Sequence, residues 1–262
     1  MTISRLVVVI PCHRRWDLLP RAIEAVAPTP VIVVDDSPPE LSPPHPVGTT
    51  VVQTTGSVGF ASAANAGLRA AQQQGASHVL LLNDDAAPAP GCVETLCAAW
   101  GPTVGAVGPV LVSQDGRLES AGAELRWWGR VRMLGKAPSR TVPVDALSGA
   151  CIMLPATVRF DEAFVHGFED LSLCRSLRRR GQQVLLVGDA RCVHHGGGTL
   201  DRRSRAAQRH AVSGHLRLLE HRRFLPVVVG LALGQVAREG GPPARVLGVA
   251  EGVRDWWLLR RR

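Results

Sequence analysis

Two apolar runs in this chain end in paired acids. Val31-Ile32-Val33-Val34 is followed by Asp35-Asp36-Ser37, and Val79-Leu80-Leu81-Leu82 by Asn83-Asp84-Asp85. Carboxylates at Asp84 and Asp85 are wrong for touching phosphate directly, because like charges repel. They suit a hard divalent cation that bridges acid and phosphate oxygens. An isolated Asn-Asp-Asp is more often an Asx turn that caps the next helix. Here, about 85 residues later, Phe168-Glu169-Asp170 opens a helical pattern, and His194-His195 follows 24 residues beyond Asp170. Acids in a helix's first turn often serve only the macrodipole, and a histidine beside glycines is more often an ordinary loop residue. Together the three segments supply a metal carboxylate, an imidazole ligand and a spare carboxylate able to act as general base.

The elements around these residues read as α/β. Leu6-Val7-Val8-Val9-Ile10 is a continuous β-branched run, the pattern of a strand buried on both faces of a parallel sheet. The spacing of Leu18, Leu19, Ile23 and Val26 predicts a helix over 17–27 with Asp17 as N-cap. Strands over 31–34 and 79–82 flank a helix over 61–74 that Gly75 stops. This order predicts a mostly parallel sheet flanked by helices, with ligands collecting at the carboxyl ends of the strands, where the acids stand. A dinucleotide-binding sheet would carry G-x-G-x-x-G after its first strand. Pro11-Cys12-His13-Arg14-Arg15 stands there instead, so any phosphates are handled another way.

Beyond Asp85 the sequence predicts a proline-bearing turn over 86–91, a helix to about Trp100 and a strand over 107–112. Periodicity fades from Ser113 to Pro143, a stretch that holds Trp127-Trp128. Long irregular segments of this kind in enzymes are usually lids or binding loops. A helix over 170–180, ended by Gly181, precedes a short strand over 184–187.

With 262 residues, 45% of them hydrophobic and 20% charged, the chain is a globular protein with room for a substantial core. No apolar run is long enough to cross a bilayer, and the apolar start ending at Pro11 is too short for a signal peptide, so a cytoplasmic protein with free thiols is expected. The six cysteines form no C-x-x-C pair, which removes zinc-knuckle and redox motifs. The net charge of +8 is uneven: residues 1–200 hold 17 basic and 17 acidic side chains, whereas 201–262 hold 13 arginines against 5 acids. A basic helical extension on a neutral body points to a polyanionic partner or to a solvated helical face. Nucleic acid is the weaker partner, because the arginines are not interleaved with a reading motif. The apolar stretch 224–237 and Trp256-Trp257-Leu258-Leu259, each flanked by arginines, suit an anionic membrane surface. A helical hairpin packed on the body, or a homodimer, explains them equally.

The chain resembles the family 2 glycosyltransferases of the GT-A fold, and among them the bacterial rhamnosyltransferase-like enzymes. The resemblance spans residues 5 to about 200. It rests on Val33-Val34-Asp35-Asp36-Ser37, Gly59-Phe60-Ala61 with Asn65 and Gly67, and Leu82-Asn83-Asp84-Asp85 with Pro88, Pro90 and Gly91. It continues through Leu147-Ser148-Gly149-Ala150-Cys151, Phe160-Asp161-Glu162, Gly167 to Arg175 with Gly181, and Val193-His194 with Thr199, in the family's order.

The resemblance implies an inverting transferase that moves a sugar from a nucleotide-diphosphosugar, of the dTDP-rhamnose kind, to a hydroxyl of a glycan or lipid-linked acceptor. Residues 1–112 would form the donor-binding half of a catalytic domain and 113–200 the acceptor-binding half, ahead of the extension 201–262. Asp36 with Asp35 would meet the base, with Pro11, Gly59, Asn65 and Asp84 also on the nucleotide-sugar. Asp85 and His194 would hold Mg²⁺ or Mn²⁺. Asp170 would be the base, Glu169 its neighbour in the acceptor site, and Gly149, Trp127 and Trp128 would line the acceptor. The chain departs from the family at Ser172, where relatives often carry Asp, at Ser57, the usual Asn, and at Asn83 in the first metal-motif position. A sugar-phosphate nucleotidyltransferase is disfavoured by the missing Gly-x-Gly-x-Arg loop. A catalytically inactive binding or scaffold protein of the same fold stays open.

Overall fold

Strands β1 (Leu6–Cys12), β2 (Val31–Asp35), β3 (Thr50–Gln53) and β4 (His78–Leu82) lie parallel in the order β3-β2-β1-β4 in the computed structural model. The structure describes residues 3–41, 48–164, 167–196, 204–239 and 244–259. Val7 to Ile10 and Val79 to Leu82 have no accessible surface. Alternate residues explain this: Val8 and Ile10 pack with Leu19 and Ala22 of helix α1 (Leu19–Glu24), while Val9 and Val34 face helix α2 (Phe60–Gln73). α2 comes so close at Gly67 that a Cβ there would overlap the Val9 side chain and stand 2.8 Å from Val34 Cγ2.

The sheet continues with one strand reversed. β11 (Cys151–Pro155) runs antiparallel to β4 on one side and to β6 (Val104–Val112) on the other. β12 (Gln183–His194) then pairs parallel with β6. Short strands complete it: β5 (Ala86–Pro88) and β10 (Val142–Pro143) on β12, and β7 (Leu118–Ser120) on β6. β8 (Ala123–Leu125) and β9 (Val131–Met133) pair as a separate hairpin. Helices α3 (Cys92–Ala98) and α4 (Glu169–Arg179) complete a mixed α/β architecture with the expected central sheet.

The chain divides into two units. The first comprises 1–124, 133–162 and 170–196 and contains the sheet. The second comprises 125–132, 163–169 and 197–262. In it, α5 (Arg205–Leu219), α6 (Leu225–Glu239) and α7 (Ala244–Leu259) bury Val212, Leu216, Val228, Val249 and Trp256 together. α5 and α7 approach closely because Gly248 and Gly252 offer no side chain: a Cβ on either would stand 2.5 Å from the carbonyl oxygen of Arg205 or Arg209. Arg205–Glu251 and Arg209–Asp255 ion pairs flank the seam. Among the described residues, no helix is long and apolar enough to cross a membrane. All six cysteines are free.

Several expectations need correction. Asp17 caps nothing: α1 starts two residues later, behind a turn in which Leu18 N–H bonds Arg15 O, and Asp17 points to solvent beside Arg15. The proline-bearing turn after Asp85 is a strand, β5, because Ala86 to Pro88 find an antiparallel partner in β12. β3 has no sequence signal beyond Thr50-Val51-Val52, being short and at the sheet edge. The segment 113–143 contains four short strands. The strand expected over 184–187 continues to His194. Gly188-Asp189-Ala190 interrupts the ladder as a shift in register, after which Arg191 resumes pairing opposite Val110.

Candidate active site

The strand order creates the crevice. The chain steps from β1 outward through β2 and β3, then returns across to β4 on the other side of β1, and a sheet opens at such a reversal. Pairing of β1 with β4 ends at Val9 opposite Leu81, while β1 and β2 continue to Cys12 opposite Asp35. Past that point Pro11, Cys12 and His13 face Asn83, Asp84 and Asp85 across the gap. Pro11 stands opposite Val34, beyond the end of the β4 pairing, where a missing N–H costs the sheet least. His13 N–H reaches Asp84 Oδ2 at 3.4 Å.

On the β2 side the acids organise backbone. Asp35 is fully buried, and its Oδ1 accepts the N–H of Ser37 at 2.9 Å. Asp36 accepts from Thr54 Oγ1 at 2.6 Å, from Val58 N at 2.9 Å and from Gly59 N at 3.2 Å. One carboxylate thus shapes the loop that leads into α2. His13 donates from Nδ1 to the Asp36 carbonyl at 2.8 Å, which fixes the loop after β1 to the same corner. Ser57 adopts φ 54° there. Asparagine tolerates that left-handed region better than serine, so the departure from the family's Asn bears on backbone strain.

Asn65, expected beside the nucleotide, has its amide spent elsewhere. Its Nδ2 donates to Phe160 O at 3.0 Å and to Glu162 Oε1 at 2.8 Å, and its Oδ1 accepts Phe160 N–H at 2.8 Å. It is a buried tie between α2 and the segment 160–162.

On the β4 side, Asp85 and His194 meet. Their proximity follows from β5 pairing with β12, which sets His194 opposite Ala86, one residue after Asp85. Nε2 of His194 stands 3.2 Å from Asp85 Oδ1, both side chains largely buried. That Oδ1 has no hydrogen-bond partner of its own. Burial alone would lower the His194 pKa, but its contact with Asp85 and the charge of Glu119 outweigh it and raise the value to about 9. Burial would raise Asp85, and its contact with His194 prevails, leaving it below the usual carboxylate range. Asp84 is pushed up to about 6, by burial first and then by the Asp85 charge.

An orphaned buried carboxylate oxygen facing an imidazole nitrogen is a donor pair that fits a divalent cation of borderline hardness. Among the described residues no group of three His, Cys, Asp or Glu side chains could hold a metal. The described residues would therefore supply two ligands.

Asp170 stands on α4, and both its oxygens are held. Oδ2 accepts the N–H of Gly149 at 3.0 Å and Oδ1 that of Leu171 at 2.8 Å. Burial raises its pKa, opposed by those two N–H groups. The Phe60 ring packs over Gly149, where a Cβ would stand 3.4 Å from the ring. The reversed strand β11 links this carboxylate to the Asp85 side: its start lies beside the end of β4, and Asn83 N–H bonds Ala150 O at 2.9 Å.

Other expected site residues lie in the second unit. Trp127, 89% exposed, and Trp128 form the tip of the β8–β9 hairpin, with Arg130 over the Trp128 ring at 6.0 Å. His215 of α5 donates to the Gly129 carbonyl at 2.5 Å, and its ring stacks on Phe168. Glu169 is the first residue of α4. Thr199 and the terminal arginines 260–262 lie outside the described residues. Sequence reasoning missed Glu119, whose carboxylate reaches His194 from a segment without periodicity.

Comparison with known proteins places this geometry. No curated protein matches the chain in sequence. Among solved structures, the fold resembles GalNAc-T7 with UDP, GalNAc and Mn²⁺ (TM-score 0.62, 15% identity, 83% of this chain and 48% of that one). It also resembles S. aureus TarS 1-349 in complex with UDP-GlcNAc (TM-score 0.61, 12% identity, 96% and 81%). A third is the mannosyltransferase PcManGT from Pyrobaculum calidifontis with GDP-Man and Mn²⁺ (TM-score 0.55, 18% identity, 95% and 79%). The chain thus spans about half the length of GalNAc-T7. The family model "Glycosyl transferase family 2" matches residues 7–158, more than half of the sequence, and the chain, with its GT-A sheet, belongs to that family.

Proposed function

We propose that the protein transfers a sugar from a nucleotide-diphosphosugar donor to a hydroxyl of a glycan or lipid-linked acceptor, with inversion at the anomeric carbon. One observation carries the reading. The Asp85–His194 pair and the tethered Asp170 belong to one edge of one sheet, joined through the Asn83–Ala150 hydrogen bond. The structures it resembles hold UDP, UDP-GlcNAc or GDP-Man, two of them with Mn²⁺.

Asp85 and His194 would hold Mg²⁺ or Mn²⁺, which offsets the negative charge that gathers on the diphosphate as the bond to the sugar breaks. Asp84 would meet the ribose or the metal, Asp36 with Asp35 the base, and Pro11 and Gly59 the rest of the nucleotide-sugar. Asp170 takes the proton of the acceptor hydroxyl while its oxygen attacks C1, the C1–O bond to phosphate breaks and the nucleoside diphosphate leaves. The burial that raises the Asp170 pKa makes it a better base than a solvated aspartate. Residues 1–112 bind the donor and 113–200 the acceptor, with Gly149 at the acceptor hydroxyl, and the rings of Trp127 and Trp128 suit stacking on a sugar. A deoxysugar donor of the dTDP-rhamnose kind is the first to test.

The extension 201–262 attaches the enzyme to an anionic membrane face. Leu233 of α6 and Val246, Leu247 and Leu258 of α7 are 40 to 57% exposed, in an extension that holds 13 arginines against 5 acids. Flotation with phosphatidylglycerol vesicles tests this. A chain that stays at the bottom of the gradient, or that dimerises through the same face, removes it.

The function itself is tested by incubating the full chain with Mn²⁺ and UDP-, GDP- and dTDP-sugars while following release of nucleoside diphosphate and thermal stability. Stabilisation by one nucleotide class only when metal is present, with slow donor hydrolysis, is expected. No stabilisation and no release by any donor overturns the reading in favour of an inactive scaffold.

A further inference from the structure

We propose that Glu119 is a positioning residue that holds the imidazole of His194 through Nδ1 and so aims Nε2 at Asp85 and at the cation the pair would share. The inference rests on the metal-assisted reading above and extends it to a residue with no motif around it.

The geometry starts in the sheet. Val112, at the end of β6, pairs with Val193 on one side and with Leu118 on the other. Glu119 and His194 are each the next residue along, so β6 brings together two positions 75 apart in the chain. The ladder between β6 and β7 is irregular at this point. Leu111 stands opposite Ser120 and Val112 opposite Leu118, which leaves Glu119 as the bulged residue without an opposite number. Bulges re-aim a side chain, and this one turns Glu119 onto the imidazole. Oε2 lies 2.9 Å from His194 Nδ1, with only about a quarter of the Glu119 side chain exposed. Gly196 leaves room for it, since a Cβ there would stand 3.3 Å from Glu119 Oε1.

A carboxylate can only accept from the ring, so Nδ1 carries the hydrogen. In the neutral imidazole the lone pair then belongs to Nε2, the nitrogen 3.2 Å from Asp85. Metal-binding histidines generally have such a partner on the far nitrogen, and its removal costs about 10- to 100-fold in metal affinity. Without Glu119 the ring can present either nitrogen and can rotate about its side-chain bonds, and among the described residues no third side chain joins the pair to compensate.

The test measures Mn²⁺ binding to the full chain by electron paramagnetic resonance, without donor, in wild type, E119A, E119Q, H194A and E119A/H194A. The expected result is about 10-fold or greater weakening in E119A, a smaller loss in E119Q, whose amide oxygen still accepts from Nδ1–H, and no further loss from E119A once His194 is gone. Nitrogen-15 shifts of the His194 ring, recorded without metal at pH 10, where the ring is neutral, should show the Nδ1–H form in wild type and a mixture of forms in E119A. Equal Mn²⁺ affinity in E119A and wild type overturns the inference and leaves the metal site standing. Absence of Mn²⁺ binding in wild type overturns the metal reading itself, and the inference with it. E119Q keeps the shape of the side chain, so a fold defect in E119A alone does not obscure the result.

Discussion

The Asp170 carboxylate accepts the backbone N–H of Gly149 at 3.0 Å, so the side chain expected to take a proton is anchored to the strand that runs back along β4. D170N keeps one acceptor oxygen for the Gly149 N–H, gives up the bond to Leu171 N–H and removes the basic site. Turnover should fall by about 10² to 10⁴-fold with donor affinity nearly unchanged, as measured by transfer kinetics and donor titration. Because burial raises the Asp170 pKa, the acid limb of wild-type kcat against pH should lie above the ordinary aspartate range. Full activity in D170N would remove the assignment.

Asn65 separates a structural role from a nucleotide contact. N65A breaks two buried hydrogen bonds to Phe160 and a partly buried one to Glu162, and strands the Phe160 N–H. A loss of about 2 to 4 kcal/mol is expected in urea unfolding, with donor Kd unchanged wherever the protein remains folded. A large shift in Kd at unchanged stability would return Asn65 to the nucleotide.

Ser57 offers the opposite sign. At φ 54° a serine bears strain that asparagine tolerates and glycine avoids. S57N and S57G should each raise stability, by about 0.5 to 1 kcal/mol, read as a higher melting temperature of the full chain. Destabilisation by both would show that the serine hydroxyl is required.

His194 makes the metal-free protein sensitive to alkali. Its folded pKa, about 9, exceeds the ordinary histidine value of 6.5. The protonated ring between Asp85 and Glu119 therefore contributes stability that is complete below pH 6.5 and is lost as pH rises through about 9. Thermal melts with a chelator should drop across that window by an amount on the order of 1 to 3 kcal/mol, and H194Q should flatten the dependence. A melting temperature constant from pH 6 to 9.5 in wild type would contradict it.

The parallel half of the sheet was legible because β1, β2 and β4 are uninterrupted apolar runs, each followed by its chemistry. What the residues could not announce depended on pairing. β5 is three residues of Ala-Ala-Pro, a strand only because β12 lies alongside, and with it comes the meeting of Asp85 and His194. Glu119 stands in a stretch with no periodicity, and its use follows from a bulge that only the ladder reveals. The partners of Asn65 were illegible for another reason: its place on α2 was readable, but an amide can bond any neighbour, and here it bonds Phe160 and Glu162. Asp36 shows the same ambiguity, since three donors already converge on it.

The single reversed strand between β4 and β6 has a wider consequence. Since the start of β11 is stitched to the end of β4 by main-chain bonds, the spacing between the Asp85–His194 pair and the Gly149 N–H that anchors Asp170 is a property of strand geometry. If the pair holds a cation and Asp170 is the base, as proposed, surface loops could be exchanged to suit a new acceptor while the reacting groups keep their separation, a durable platform for changing what is glycosylated without rebuilding how.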